Sequence, residues 1–234
     1  MQARLTELNY NEILMYLGYR GQAMPAAVET QIRRCISEVM EAAEPKLVWR
    51  RLPLVGGQID GFRLQGQDIK KVLSSCQEVV LMAATIGSKV ERLLMRREVS
   101  DMADAVIMDS CASTAIENVC DNFEFDLRSE LKAQDLYLTD RYSPGYGDFP
   151  LDTQPELCAI LNAQKRIGLT VTAANIMIPR KSVSAIMGIS RQRQPLRRRG
   201  CEVCSMFLNC PYRGGHDHAD DAQTCGAGNG CGDV

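Results

Sequence analysis

At 234 residues the chain can hold one sizeable core, or a domain with a small appendage. A formal net charge of −2 and a pI near 5.8 argue against broad nucleic-acid binding as its task. Met1 to Asn9 carries charges and no apolar export segment, and no later apolar run is long enough to cross a bilayer, so a cytoplasmic protein away from membranes is expected.

Asn9 or Asn11 can cap a short helix running to Gly18, and Ala26 to Ala43 has the spacing of an amphipathic helix. Leu47 to Leu54 and Ile59 to Leu64 alternate in part around Gly56-Gly57, which predicts two strands paired through that turn. Asp68 to Leu73 suits a short helix. The continuous apolar run from Glu78 to Thr85, stopping at Gly87, predicts a strand in the middle of a sheet. From Asp101 to about Leu131, residues Met102, Ala105, Met108, Ala112, Ile116, Val119 and Phe123 recur at three- and four-residue steps, the mark of the principal buried helix. Cys111 and Cys120 on that helix read as inert core thiols. Thr153, with Pro155 in the first turn, can open a helix that Gly168 ends. Thr170 to Ala173 and Ser182 to Met187 predict two more strands, separated by Pro179-Arg180-Lys181. Strands interleaved irregularly with helices, with no solenoid-length repeat, predict an α+β fold.

The stretch from Arg141 to Pro150, Arg-Tyr-Ser-Pro-Gly-Tyr-Gly-Asp-Phe-Pro, carries the clearest chemistry. A permanently charged fork stands beside a turn stiffened by Pro144, with Gly145 and Gly147 leaving the backbone open to close approach and Tyr142 and Tyr146 adding flat faces. The plainer alternative is a tight connecting loop with Arg141 in an ordinary surface ion pair. Glu117, beside the apolar stripe of the long helix, needs a partner if it faces inward and needs none on the polar face.

The loop resembles the Arg-x-x-Pro-Gly-Tyr signature of the activation domain of cobalamin-dependent methionine synthase. Leu157 to Thr170 is similar to that domain's next helix and the strand after it, and Met177 to Ala185 to its proline-then-Ser-Val-Ser strand. Tyr10 to Tyr19 and the helix around Glu117 fit short, free-standing relatives better than the form fused to the synthase. The resemblance covers about residues 8 to 190, which predicts one activation-like domain over 1–190 and an Arg-rich linker with a Cys-rich tail over 191–234. It sharpens the fold to a twisted, mainly antiparallel sheet flanked by helices.

The resemblance also implies a ligand, S-adenosylmethionine, and a role. Arg141 would hold its carboxylate, backbone groups at Ser143, Pro144 and Gly145 would meet the adenosine, Tyr146 would line the groove near the sulfonium, and Glu117 would place negative charge opposite the cationic part. The implied activity is reductive reactivation, a methyl group from S-adenosylmethionine plus one electron restoring an inactivated cobalamin. Without cobalamin, folate or homocysteine modules in this sequence, the cobalamin is expected on a partner, a methionine synthase or another corrinoid protein. The electron is expected from a donor such as flavodoxin or ferredoxin. Two departures stand out. The closest register to an Asp that touches the ligand's amino group in the fused form holds Gly18, and past Ser190 an arginine cluster replaces a tyrosine-bearing segment.

Ten cysteines would suggest disulfides in a small secreted domain; with no export signal, and five of them at 201–231, reduced thiols or metal ligands are expected. Cys201, Cys204 and Cys210 can present three thiolates to one metal, either a stapling zinc or an iron–sulfur cluster able to pass an electron. The spacing does not choose a fourth ligand among His216, His218, Cys225 and Cys231. The readings left open are a reactivation factor for methionine synthase, a redox activator of other corrinoid proteins through a tail cluster, and a non-catalytic S-adenosylmethionine-binding subunit.

Overall fold

A computed structural model of the chain describes residues 1–19 and 21–194. The elements run α1 (Tyr10–Tyr16), α2 (Ala26–Ala42), β1 (Lys46–Pro53), β2 (Gln58–Ile59), β3 (Phe62–Arg63), α3 (Gln67–Val72), β4 (Glu78–Thr85) and α4 (Ser88–Ser100). After them come α5 (Met102–Lys132), β5 (Tyr137–Leu138), a 3-10 turn (Leu151–Thr153), α6 (Gln154–Ile160), α7 (Ala163–Ile167), β6 (Thr170–Val171), β7 (Met177–Ile178) and β8 (Ser182–Ser190). The main sheet has the order β1-β4-β8-β5 and every pairing in it is antiparallel. The fold is α+β, as the sequence leads one to expect.

β4 is central, so both its faces need cover. Val80, Met82 and Ala84 pack into a core shared with α1, α2, α4 and α5, while Val79, Leu81 and Ala83 pack into a second core with α3, α6 and α7. Period-two alternation between two buried faces gives a continuous apolar run, the pattern the sequence shows. β8 splits in the same way, with Ala185, Met187 and Ile189 on the first face and Ile186 on the second.

The Asn9 side chain accepts the N–H groups of Asn11 and Glu12 and caps α1, and Asp101 caps α5 through the Asp104 N–H. Of the periodic residues on α5, Met102 on its first turn stays exposed, while the others are buried. Burial pushes the thiols of Cys111 and Cys120 up to about 12, consistent with inert core residues.

Several expectations change. Residues 47–54 do not pair with 59–64. β1 pairs with β4 over its whole length, and the chain after it makes two tight turns, at Gly56-Gly57 and at Asp60-Gly61, which closes β2 against β3 alone. A Gly-Gly turn and an Asp-Gly turn so close together leave too few residues for a long strand between them. The single helix expected from Thr153 to Gly168 is two, because Asn162 adopts a left-handed conformation with φ 52° between α6 and α7. Thr153 makes no side-chain cap there. The strand expected at 170–173 is two residues long and joins β7 in its own hairpin rather than the main sheet. α4 was not anticipated, although Val90 and Leu94, four residues apart and buried, are a helical signal. The tail Cys residues and Arg197 to Arg199 lie outside the described residues.

Candidate functional site

Beyond α5 the chain follows the free edge of β8. Tyr137 and Leu138 pair with Ser190 and Ile189, the Thr139 N–H donates to Gly188 O at 2.9 Å, and Tyr142 and Ile186 exchange two N–H···O bonds of 2.9 Å. Side chains along such an edge alternate, and Tyr142 enters the second core with Phe149. Its neighbour Arg141 is thereby sent to the α5 side. Glu117, Asp121 and Glu124, at i, i+4 and i+7, form one stripe of α5 and meet it.

The Arg141 side chain is only 9% exposed. Its Nη2 lies 3.2 Å from Glu117 Oε2 and also donates to Asp121 Oδ1. Its Nε lies 2.9 Å from Glu124 Oε2, in ion-pair contact without hydrogen-bond alignment. Burial lowers the guanidinium's affinity for its proton, but the negative charges around it, Glu117, Asp121 and Glu124 and at high pH the Cys120 thiolate, more than offset this, so it stays charged. This is not the ordinary surface ion pair of the plainer reading, and Glu117 is half-buried with a partner.

Arg128, one turn beyond Glu124, positions the assembly. It donates to Glu124 Oε1 at 2.7 Å, to Leu138 O at 2.5 Å, to Thr139 O at 3.1 Å and to Asp140 Oδ1 at 3.1 Å. One side chain thus ties α5 to the segment that delivers Arg141.

The loop itself is a closed turn. The Gly145 N–H donates to Phe149 O at 2.8 Å, the Tyr146 N–H to Ser143 O at 3.2 Å and the Phe149 N–H to Tyr146 O at 3.0 Å. Pro144 is buried, Ser143 is partly buried, and Gly145 and Tyr146 face solvent. Gly147 serves a different end from the one its sequence suggests. With φ 53°, a Cβ there would collide with the Asp68 carboxylate and the Tyr142 hydroxyl, so the glycine makes room for the protein's own side chains. Asp148 reaches back to accept the Gln67 and Asp68 N–H groups at 2.6 and 3.0 Å. It caps α3 from a distant part of the chain, and the two amides hold its carboxyl below the usual range.

α1 completes the surroundings. The Tyr16 hydroxyl lies 3.5 Å from Glu12 Oε1, and its ionisation is pushed up to about 12 by burial and then by the charges of Glu12 and Glu117, with Tyr146 also contributing. Arg141 and Glu117 are in contact, and Tyr146 stands on the same loop with its ring centroid 6.5 Å from that of Tyr142. The sequence reading missed Tyr16, Asp121, Glu124 and Arg128, although acids at i, i+4 and i+7 followed by an arginine are visible in the sequence as a single helical stripe. Gly18 lies just past the end of α1, with φ 75°. Cavities of about 190 and 270 Å³ lie elsewhere, one beside Arg51 and Ser190 and one beside Thr30 and Arg34. Among the described residues, no group of three or more His, Cys, Asp or Glu is arranged to hold a metal, and no helix is long and apolar enough to cross a membrane.

No curated protein matches the chain. Among solved structures, one described as the crystal structure of the MetH reactivation domain bound to AdoHcy aligns over 80% of this chain and 75% of that one, with a TM-score of 0.59 and 16% identity. At that identity the likeness establishes the fold. The family model for the vitamin B12 dependent methionine synthase activation domain matches residues 77–194, which include β4, α5, the Arg141 loop and β8. With half of its length so matched, the chain belongs to the family of vitamin B12 dependent methionine synthase activation domains.

Proposed function

We propose that the chain binds S-adenosylmethionine at the Arg141 loop and supports reductive methylation of a cobalamin carried by a separate methionine synthase chain. The observation that carries this reading is a buried, permanently charged guanidinium at the foot of a Pro-Gly-Tyr turn, with three carboxylates of α5 converging on it. Arg128 holds Glu124 and Asp140 beside them. An amino-acid carboxylate suits the guanidinium, and a sulfonium with an ammonium suits the acids around it. Tyr146 and Tyr16 supply aromatic faces, and the turn from Ser143 to Gly145, which reaches solvent at Gly145, supplies backbone for the adenosine. That the similar solved domain is bound to AdoHcy, which S-adenosylmethionine leaves after giving up its methyl group, supports the ligand class.

When bound, S-adenosylmethionine supplies the methyl group to the partner's corrinoid, with one electron from a donor such as flavodoxin or ferredoxin. The residues of this chain orient the donor and transfer no proton. Calorimetry tests the reading: the native protein binds S-adenosylmethionine, and Arg141→Ala weakens binding roughly 100-fold, the value of a charge-assisted bidentate contact. Binding by neither protein overturns it. The spacing of Cys201, Cys204 and Cys210 favours a second reading, in which a tail iron–sulfur cluster passes electrons to corrinoid proteins. Visible absorbance of anaerobically purified protein is the expected sign of a cluster; colourless protein containing zinc overturns that reading.

A further inference from the structure

Arg141 and Glu117 reach their contact from different elements, one carried on the edge of β8 through the Tyr142–Ile186 pairing and the other on α5. Their approach of 3.2 Å therefore depends on where α5 sits along β8. Packing alone fixes this loosely. In the core that helix and sheet share, Ala112 and Ala115 of α5 and Ala84 and Ala185 of the strands are small, and they resist sliding less than larger, interdigitating side chains would. Polar ties at the two ends supply the register. Arg128 joins the C-terminal part of α5 to Leu138 O and Thr139 O. At the other end stands Lys181, the residue before β8, whose Nζ lies 2.8 Å from Asp109 Oδ1 and 2.8 Å from Ser113 Oγ.

The Lys181 side chain is 15% exposed, and its backbone is equally well held. Lys181 O accepts the Ile86 N–H at 3.2 Å, and the preceding residue, Arg180, donates to Glu91 and Glu98 of α4 at 2.6 and 3.1 Å. Asp109, Ser113 and Glu117 follow one another at four-residue steps, so Lys181 grips the turn of α5 that comes immediately before Glu117. We propose that Lys181 is a positioning residue for the ligand site: it sets the register of α5 along β8 and so places Glu117 beside Arg141, without touching the ligand itself. The inference rests on the ligand class proposed above. Glu124 is anchored from the opposite end by Arg128 and does not depend on Lys181.

The test measures AdoHcy binding and thermal unfolding for the native protein and for Lys181→Met, Lys181→Arg and Ser113→Ala, each also combined with Glu117→Gln. Lys181→Met is expected to weaken AdoHcy binding roughly fivefold, the size of coupling between neighbours in one polar network. Lys181→Arg, which keeps the charge and offers donors for both acceptors, restores most of the affinity. Ser113→Ala, a milder change that carries the test should Lys181→Met not fold, weakens binding about twofold. In the Glu117→Gln background neither change lowers affinity further, although each still lowers the unfolding temperature; a merely structural role gives the same fall in affinity in both backgrounds. Native binding that Lys181→Met and Ser113→Ala leave unchanged overturns the positioning role and leaves the ligand class standing. Losses of equal size with and without Glu117 also overturn it. Absence of AdoHcy binding by the native protein overturns both readings.

Discussion

The long helix α5 carries two arginine–carboxylate clusters, roughly 20 Å apart along its axis and built in opposite senses. Near its N-terminus one carboxylate, Asp104, is buried to 1% exposure and accepts from Arg34 and Gln31, with Arg97 Nη1 3.4 Å away. Arg97 also holds Glu38 at 2.8 Å. Two acids there meet two arginines. Further along, the buried group is the cation Arg141, and Glu117, Asp121 and Glu124 converge on it. A balanced cluster has no charge left to offer a ligand and ties α2 and α4 to α5. Where the buried group is the cation, several carboxylates crowd one guanidinium and repel one another at a cost in stability. Burial of a charged group is common to both clusters and does not tell them apart; the sign of the buried charge does.

The largest expected effect is on the balanced side. Asp104→Ala empties a buried, hydrogen-bonded position and leaves Arg34 and Arg97 with only Glu38 of the two acids they share, and is expected to lower unfolding free energy by about 3 kcal/mol, read by denaturant titration, with ligand affinity of the folded fraction unchanged. A variant that kept its stability and lost ligand binding would reverse the roles assigned to the two clusters. Glu124→Gln is expected to cost less, about 2 kcal/mol, because Arg128 keeps Asp140 and Arg141 keeps Glu117 and Asp121. It should also weaken AdoHcy binding, since the inner edge of Arg141 is no longer anchored; stability loss without any loss of affinity would count against that coupling.

The smallest effect at neutral pH concerns the thiol beside each cluster. Cys35, with Sγ 4.0 Å from Asp104 Oδ1, is pushed up to about 11 by burial and then by the charge of Asp104. Cys120 is pushed up to about 12 by burial, against the pull of Arg141. In the unfolded chain both lose their protons near pH 9, the ordinary value. Above that pH the unfolded state binds fewer protons than the native one, so their contribution is intact below pH 9 and stability falls as pH rises toward 11–12. Unfolding measured between pH 8 and 11 should show that decline, and native protein at pH 8 should resist thiol reagents at both positions.

Much of the molecule was legible from residues close together in sequence. The cap at Asn9, the apolar run of β4, the three- and four-residue steps along α5 and the stop at Gly168 are local signals, each set by side-chain chemistry within a turn or two. The Arg-x-x-Pro-Gly-Tyr stretch likewise pointed to the family and to Arg141, Glu117 and Tyr146. Tertiary structure decided which distant segments meet. β1 pairs with β4 because the central strand needs a partner on each edge, a demand that no turn signal near Gly56 can express. Asp148 caps α3 across 80 residues, and Gly147 is required by Asp68 and Tyr142 rather than by a ligand. Local chemistry determined that Arg141 would be charged and stiffly mounted. Only the alternation along the edge of β8, which buries Tyr142 on one face and turns Arg141 to the other, determined that three carboxylates of α5 would surround it.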